Sequence, residues 1–280
     1  MHPIVHEIRD ALRGIYPDSE ALALAKMLLV EVFGFSTLEL YGGKDKEISG
    51  KRLHDLHEML SRLQKNEPIQ YIIGTETFGG LTFEVDKCVL IPRPETMELV
   101  HWIADDYGQN VSCRILDIGT GSGCIAVSLA KLVRGAEVEA WDVSEEALQV
   151  AGRNAGRNEA DVLFRRKDVL TALPEESRYD VIVSNPPYIA EKEKAGMDAN
   201  VLEWEPSLAL FVSDEDPLVF YRKIALLAQE MLAEEGSLYF EINQAYGRET
   251  LQMLESLGYT QVELRKDAWG NDRMVKAKRS

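Results

Sequence analysis

Arg114-Ile115-Leu116-Asp117-Ile118-Gly119-Thr120-Gly121-Ser122-Gly123 is the stretch on which the fold turns: a short apolar run leads directly into a turn with three glycines, and a helical pattern opens at Cys124. Glycine at 119, 121 and 123 allows a tight turn and lets a bulky ligand approach the backbone closely. Such a turn after a strand serves a dinucleotide's pyrophosphate at a helix N-terminus or another nucleoside cofactor equally well. Asp142 ends the next strand, nineteen positions after Gly123, where a carboxylate can accept hydrogen bonds from ribose hydroxyls. That position suits either ligand class. Gly119, Thr120, Gly121, Ser122, Gly123 and Asp142 are therefore the candidate nucleoside contacts, with Asp142 also able to cap the helix that begins near Ser144.

Outward from this turn, β and α segments alternate to the C-terminus. Strands are predicted at Arg114–Ile118, Glu137–Trp141, Val162–Arg165, Tyr179–Ser184, Ser237–Ile242, Thr260–Leu264 and Arg273–Ala277, and helices at Cys124–Val133, Glu145–Asn158, Pro217–Ala233 and Arg248–Leu257. This order predicts an α/β fold with an open, mostly parallel sheet and ligands at the carboxyl ends of its strands. Upstream, Ile4, Ile8 and Leu12, then Leu22, Ala25, Leu28, Leu29 and Val32, then Leu53, Leu56, Leu60 and Leu63 recur at helical spacing. Pro17-Asp18-Ser19, Gly42-Gly43 and Asn66-Glu67-Pro68 break the runs, so a small helical bundle is expected over 1–72. From Ile69 the pattern shifts to near-alternation, and Gly79-Gly80 is placed for a hairpin turn. A two-stranded connector over 73–92 and an α/β domain over 93–280 complete the expected organisation.

With 280 residues, 45% of them hydrophobic, the chain can bury one core and a smaller second one. Lys and Arg total 31 against 47 Asp and Glu, and the formal charge of -16 disfavours a broad footprint on phosphate backbone. Cys88, Cys113 and Cys124 are an odd number without paired spacing, so neither a disulfide framework nor a zinc site is expected. His54 and His57 share a helical face but no further ligand joins them, and no metal is expected. The N-terminus has no basic start followed by an apolar run, and no run of about 18 apolar residues occurs, so a cytoplasmic location without membrane association is expected.

Tyr179-Asp180-Val181-Ile182-Val183-Ser184 runs into Asn185-Pro186-Pro187-Tyr188, the sharpest chemical feature of the chain. A conjugated NH2 is a poor nucleophile because its lone pair is delocalised. The side-chain oxygen of Asn185 and the backbone carbonyl of Pro186 can each accept one N–H, localising that pair for attack on a sulfonium methyl. The prolines fix φ and hold the acceptors rigidly, and Tyr188 can stack on the planar group. This decides the cofactor in favour of S-adenosylmethionine, with S-adenosylhomocysteine as product. No general base is required. Adenine N6, cytosine N4 and a glutamine amide all present such a group, and the chemistry alone does not choose among them.

Several further blocks resemble the bacterial release factor glutamine methyltransferases. Glu67-Pro68-Ile69-Gln70-Tyr71-Ile72-Ile73-Gly74 and Phe78-Gly79-Gly80-Leu81-Thr82-Phe83 look like that family's interdomain connector, and Val89-Leu90-Ile91-Pro92-Arg93-Pro94-Glu95-Thr96 like its signature at the domain junction. Glu205-Pro206-Ser207-Leu208-Ala209-Leu210 and Tyr221-Arg222-Lys223-Ile224 match further on. The resemblance implies a Rossmann-like seven-stranded methyltransferase domain, with N-terminal helices that help recognise the protein substrate. It also implies transfer of a methyl group to the N5 amide nitrogen of the glutamine in the Gly-Gly-Gln motif of class I peptide chain release factors.

By position, the resemblance implies that Gly119 to Gly123, Asp142 and Asn185 contact S-adenosylmethionine, while Asn185 to Tyr188 hold the glutamine. Val169 falls where the family contacts adenine, often with an aromatic residue, and Asp168 beside it is a candidate cofactor contact or else a loop carboxylate. Arg93 and Glu95 are candidates either for substrate contact or for an ion pair or helix cap at the junction. Three departures stand out: Met97 where a second glutamate is usual, Asp214-Glu215-Asp216-Pro217-Leu218 in place of a glycine-containing turn, and Asn243 where glycine is usual. The alternative is a DNA adenine-N6 methyltransferase, which would flip its base into the same pocket. The acidic charge and the lack of a Lys- and Arg-rich recognition domain stand against it.

Overall fold

The computed structural model describes residues 1–42, 48–108, 112–176 and 178–279; Gly43, half of the expected Gly42-Gly43 break, lies outside the described residues. The chain forms two compact units, residues 1–75 with 198–204, and residues 76–197 with 205–280.

The first unit is helical: α1 (Pro3–Ala11), α2 (Asp18–Glu31), α3 (Thr37–Tyr41), α4 (Lys51–Leu63) and α5 (Ile69–Ile73). Pro3 opens α1, where its missing N–H costs nothing, and Ser36 with Glu39 forms a reciprocal capping box on α3. Val5, Ile8, Leu12, Ala25, Leu28, Leu29, Leu56 and Leu63 pack into one core. The near-alternation expected from Ile69 is corrected here. Ile69–Ile73 is a single helical turn, started after Pro68 and ended by Gly74 at φ 85°, because a segment of five residues is too short for its periodicity to separate helix from strand.

β1 (Thr75–Phe78) and β2 (Leu81–Glu84) form the expected hairpin, which from Glu76 on belongs to the second unit. Gly79 (φ 58°) and Gly80 (φ 80°) both take positive φ, as a two-residue hairpin turn with the right twist requires. A Cβ on Gly79 would lie 2.6 Å from the sulfur of Met97, so this departure from the family pattern packs its thioether over the turn. α6 (Pro94–Tyr107) was not among the predicted helices, although Pro94 at its start and Leu99, Val100, Trp102 and Ile103 on its buried side are ordinary helix signals.

The main sheet contains β3 (Cys113–Ile118), β4 (Ala136–Asp142), β5 (Val162–Arg166), β6 (Tyr179–Ser184), β9 (Leu232–Glu241), β10 (Thr260–Lys266) and β11 (Asp272–Lys278). Between them run α7 (Cys124–Leu132), α8 (Glu145–Arg157), α11 (Val219–Met231) and α12 (Gly247–Ser256). After β6 come the short β7 (Ile189–Ala190), paired in parallel with β8 (Phe211–Val212), and the short helices α9 (Ala199–Trp204), which belongs to the first unit, and α10 (Ser207–Leu210). The sheet order is β10-β11-β9-β6-β3-β4-β5, with β11 antiparallel to both neighbours and the remaining pairs parallel. This is the seven-stranded, mostly parallel sheet expected from the alternation.

β3 and β6 are buried along nearly their whole length, which is why Ile115-Leu116 and Val181-Ile182-Val183 read as apolar stretches rather than alternating ones. Connections leave β3 toward β4 on one side and return to β6 on the other, so the strand order reverses between them. A crevice at their carboxyl ends follows. Ile118 and Ser184 lie side by side there, and the Ser184 hydroxyl donates to the Ile118 carbonyl at 2.6 Å. The glycine turn and Asn185 are thus delivered to one place from residues 66 positions apart.

Candidate active site

The turn after β3 is built by backbone chemistry. Gly119, Gly121 and Gly123 have φ of 77°, 54° and 81°, and the amides of Gly119 and Thr120 both donate to the Trp141 carbonyl, at 2.8 and 3.0 Å. Added Cβ atoms at Gly119 and Gly121 would meet nothing within 4 Å, so at these two positions the space beside the backbone is open to a ligand. Gly123 serves a different end: its Cβ would come 3.1 Å from that of Ala151, and it lets α7 approach α8. Asn154, wholly buried on α8, donates to the Ser122 carbonyl at 2.8 Å and exchanges bonds with the Glu84 backbone, tying β2 to the glycine turn. A buried Asn on an apolar helix face was the available signal for it.

Asp142 accepts from Gly121 N–H and from Ser144 N–H, both at 2.9 Å, through different oxygens. Each oxygen keeps a lone pair for a further donor. Burial raises the Asp142 carboxyl above its ordinary value, while these amides pull the other way. Asp117 lies under the turn, fully buried, and its Oδ2 accepts from Thr120 Oγ1 at 2.6 Å. Burial pushes its carboxyl up to about 7. A raised acid pKa means that the folded chain holds a proton which the unfolded chain has released. Stability is therefore expected to fall as pH rises from about 4 to about 7, by at most about 1.4 kcal/mol per unit from this one group. Urea titrations across that window should show the slope, and Asp117→Asn should flatten its share; an identical slope in the variant would refute the assignment.

Asn185 follows β6. Its Nδ2 donates to Thr96 Oγ1 at 3.4 Å, and Thr96 donates to Oε2 of the buried Glu241 at 2.6 Å. The Tyr188 hydroxyl donates to the other oxygen of Glu241 at 3.3 Å. Burial raises the Glu241 carboxyl, with Thr96, Arg273 and Tyr188 opposing the shift. Asn243, the third departure, donates to the Tyr188 carbonyl at 3.0 Å and to Glu193 at 3.1 Å, so it braces the backbone just after the two prolines. In the second departure, Asp214 accepts from Lys192 N–H at 3.0 Å.

A cavity of about 340 Å³, within the usual range for small-molecule sites, is lined by Gly119, Thr120, Gly121, Ser122, Asp142, Asp168, Val169, Asn185, Pro186, Pro187 and Arg93. Apolar walls come from Val169, Ala147, Leu208, Phe220 and Ile224. Gly123, Glu95 and Tyr188 are not part of the lining. Asp168 is exposed and caps a turn, accepting from Leu170 N–H at 2.9 Å, while the half-buried Val169 beside it packs on the core. The Arg93 guanidinium pairs with the buried Glu205, which also accepts from Ile91 N–H at 3.3 Å, and Glu95 stands in the first turn of α6. Glu205 lies inside a recognisable block, but its partner is 112 residues away and was invisible to local pattern. Thr96, Glu241 and Asn154 were likewise absent from the sequence-derived site.

Among the described residues no group of three or more His, Cys, Asp or Glu side chains can hold a metal ion, and no helix is long and apolar enough to cross a membrane.

A glycine turn, a strand-end carboxylate and an Asn-Pro-Pro-Tyr corner around one switch-point crevice define a methyltransferase with a Rossmann-like sheet. The methyltransferase from Pyrococcus furiosus shares the fold, with a TM-score of 0.53 at 20% identity over 80% of this chain and 98% of its own. Residues 99–203 match the family model described as methyltransferase small domain, and residues 4–74 that of the PrmC N-terminal domain. The release factor glutamine methyltransferase of Bacteroides thetaiotaomicron is 51% identical over the full length of both chains, and that of Flavobacterium psychrophilum 45% over 95% of each. The chain belongs to the release factor glutamine methyltransferase family.

Proposed function

We propose that this chain transfers a methyl group from S-adenosylmethionine to the N5 amide nitrogen of the glutamine in the Gly-Gly-Gln motif of class I peptide chain release factors. The observation that carries the reading is Asn185-Pro186-Pro187 in the wall of the cavity that the glycine turn and Asp142 also line. The cavity suits the cofactor: open space beside Gly119 and Gly121 admits a bulky ligand, Asp142 has acceptor capacity for ribose hydroxyls, and Val169, Phe220 and Ile224 supply apolar surface for a base. When bound, S-adenosylmethionine supplies an electrophilic methyl on a cationic sulfur.

The chain's own residues do the rest by positioning. Asn185 Oδ1 and the Pro186 carbonyl accept the two N–H bonds of the glutamine amide, drawing its nitrogen out of conjugation so that its lone pair can attack. Pro186 and Pro187 hold φ fixed, so the acceptors need no reorganisation as charge develops. No side chain is needed as a base, because the methylated nitrogen loses its proton to water. The N-terminal helices of residues 1–72, with the 73–92 connector after them, recognise the release factor, and the Arg93–Glu205 ion pair holds Arg93 in the cavity wall.

The test is transfer of radiolabelled methyl to a purified release factor. Label is expected on the wild-type factor and none on the same factor with the motif glutamine replaced by alanine. Equal labelling of both would end the reading, and label on adenine-containing DNA instead would favour the nucleic-acid alternative.

A further inference from the structure

The geometry points to Thr96 and Glu241 as a positioning pair that sets which way the Asn185 carboxamide faces, an inference that rests on the glutamine-methylation reading. An asparagine amide has one accepting and one donating end, and rotation of the side chain by half a turn exchanges them. For the proposed chemistry only one orientation works, because Oδ1 must meet the substrate N–H. Asn185 cannot choose by itself, since its ends are nearly equal in shape.

Thr96 can choose for it. The hydroxyl has a single proton, and it is committed to Glu241 Oε2 in a short bond of 2.6 Å. What remains on Thr96 Oγ1 is acceptor capacity, so the group facing it must be a donor, and Asn185 Nδ2 stands there at 3.4 Å. The opposite orientation would set Oδ1 against a lone pair. Thr96 and Glu241 are each 2% exposed, so water does not compete for these bonds, and the preference is felt in a low-dielectric setting.

Glu241 is in turn held on both sides. Its Oε1 accepts from the Tyr188 hydroxyl at 3.3 Å, and its backbone carbonyl accepts from the Tyr221 hydroxyl at 3.2 Å. Arg273 is the cation that faces it and Glu95 the nearby anion. The end of β9, the first turn of α6 and the corner after β6 are thereby joined into one network. Thr96 lines the cavity beside Asn185 and Glu241 does not, and in the proposed step the acceptors are Asn185 Oδ1 and the Pro186 carbonyl rather than either of these side chains.

Thr96→Val keeps the shape and removes both the proton and the acceptor, whereas Thr96→Ser keeps both. Against a release factor, T96V is expected to lower kcat about 10- to 100-fold, as loss of orientation does, with KM and the cofactor Kd changed by roughly threefold or less. T96S should recover kcat to within roughly threefold of wild type, and T96V should add nothing further in an N185A background. A second readout needs no acceptor: in ¹H–¹⁵N spectra the Asn185 side-chain amide should exchange with solvent more slowly in wild type and T96S than in T96V. Wild-type kcat in T96V, equal loss in T96S and T96V, or unchanged amide exchange would each overturn the proposal. Should the wild-type enzyme leave the release factor unlabelled, the functional reading falls, and the exchange comparison still decides the orientation.

Discussion

Asn185→Ala is expected to lower kcat by about 10²- to 10³-fold, the cost of removing one pre-organised polar group aimed at developing charge. The fold should survive, because Asn185 lies beyond the end of β6 and its hydrogen bond to Thr96 is long, at 3.4 Å. The loss belongs to the transition state: the amide nitrogen must leave conjugation only there, so the acceptor that rewards the change is worth more there than in the ground state. Asn185→Gln sharpens the point. It keeps a carboxamide but places it one methylene further along, and a displacement on the order of 1 Å is expected to cost about 10²-fold. Single-turnover labelling at saturating cofactor separates this from binding. An Asn185→Ala rate within about tenfold of wild type would sink the assigned role.

The second large effect is on cofactor affinity. Asp142→Ala removes an acceptor whose two oxygens already hold Gly121 N–H and Ser144 N–H, so it should both loosen the glycine turn and delete the proposed ribose contact. At about 1.5–3 kcal/mol for a hydrogen bond to a charged group, Kd for S-adenosylmethionine should rise roughly 10- to 150-fold by calorimetry. Asp142→Asn, which keeps one acceptor, should fall between. Because a ribose contact is equally strong in ground and transition states, kcat at saturating cofactor should change little. An unchanged Kd in Asp142→Ala would show that the carboxylate serves only the turn and the start of α8.

Which parts of this architecture were legible follows from how far their determinants reach along the chain. The strand at Tyr179–Ser184 was read to the residue, because Val181-Ile182-Val183 is the unbroken apolar centre of a buried parallel strand and Asn185-Pro186 stops it sharply. β9 begins at Leu232, five residues before the predicted Ser237, since Ala233, Glu234 and Glu235 are not buried and carry no core pattern, and Glu235 has φ 62°. Short elements such as α3, α9, α10, β7 and β8 have too few residues for any period to show.

By itself the sequence determined what neighbouring residues dictate to one another: the strand-to-glycine turn of 114–123, the Gly79-Gly80 hairpin, the helical periodicity of the first unit and the rigid Asn-Pro-Pro corner. These depend on φ, on the lack of a Cβ and on the spacing of apolar side chains, all properties of a few adjacent residues. Only the tertiary structure decided that Ile69–Ile73 is helical, that Arg93 pairs with Glu205, and that Asn185 faces Thr96 while Thr96 leans on Glu241, 145 residues away. Hydrogen bonds of that kind depend on which buried donor meets which acceptor after the sheet has closed, and chain order carries no record of that meeting.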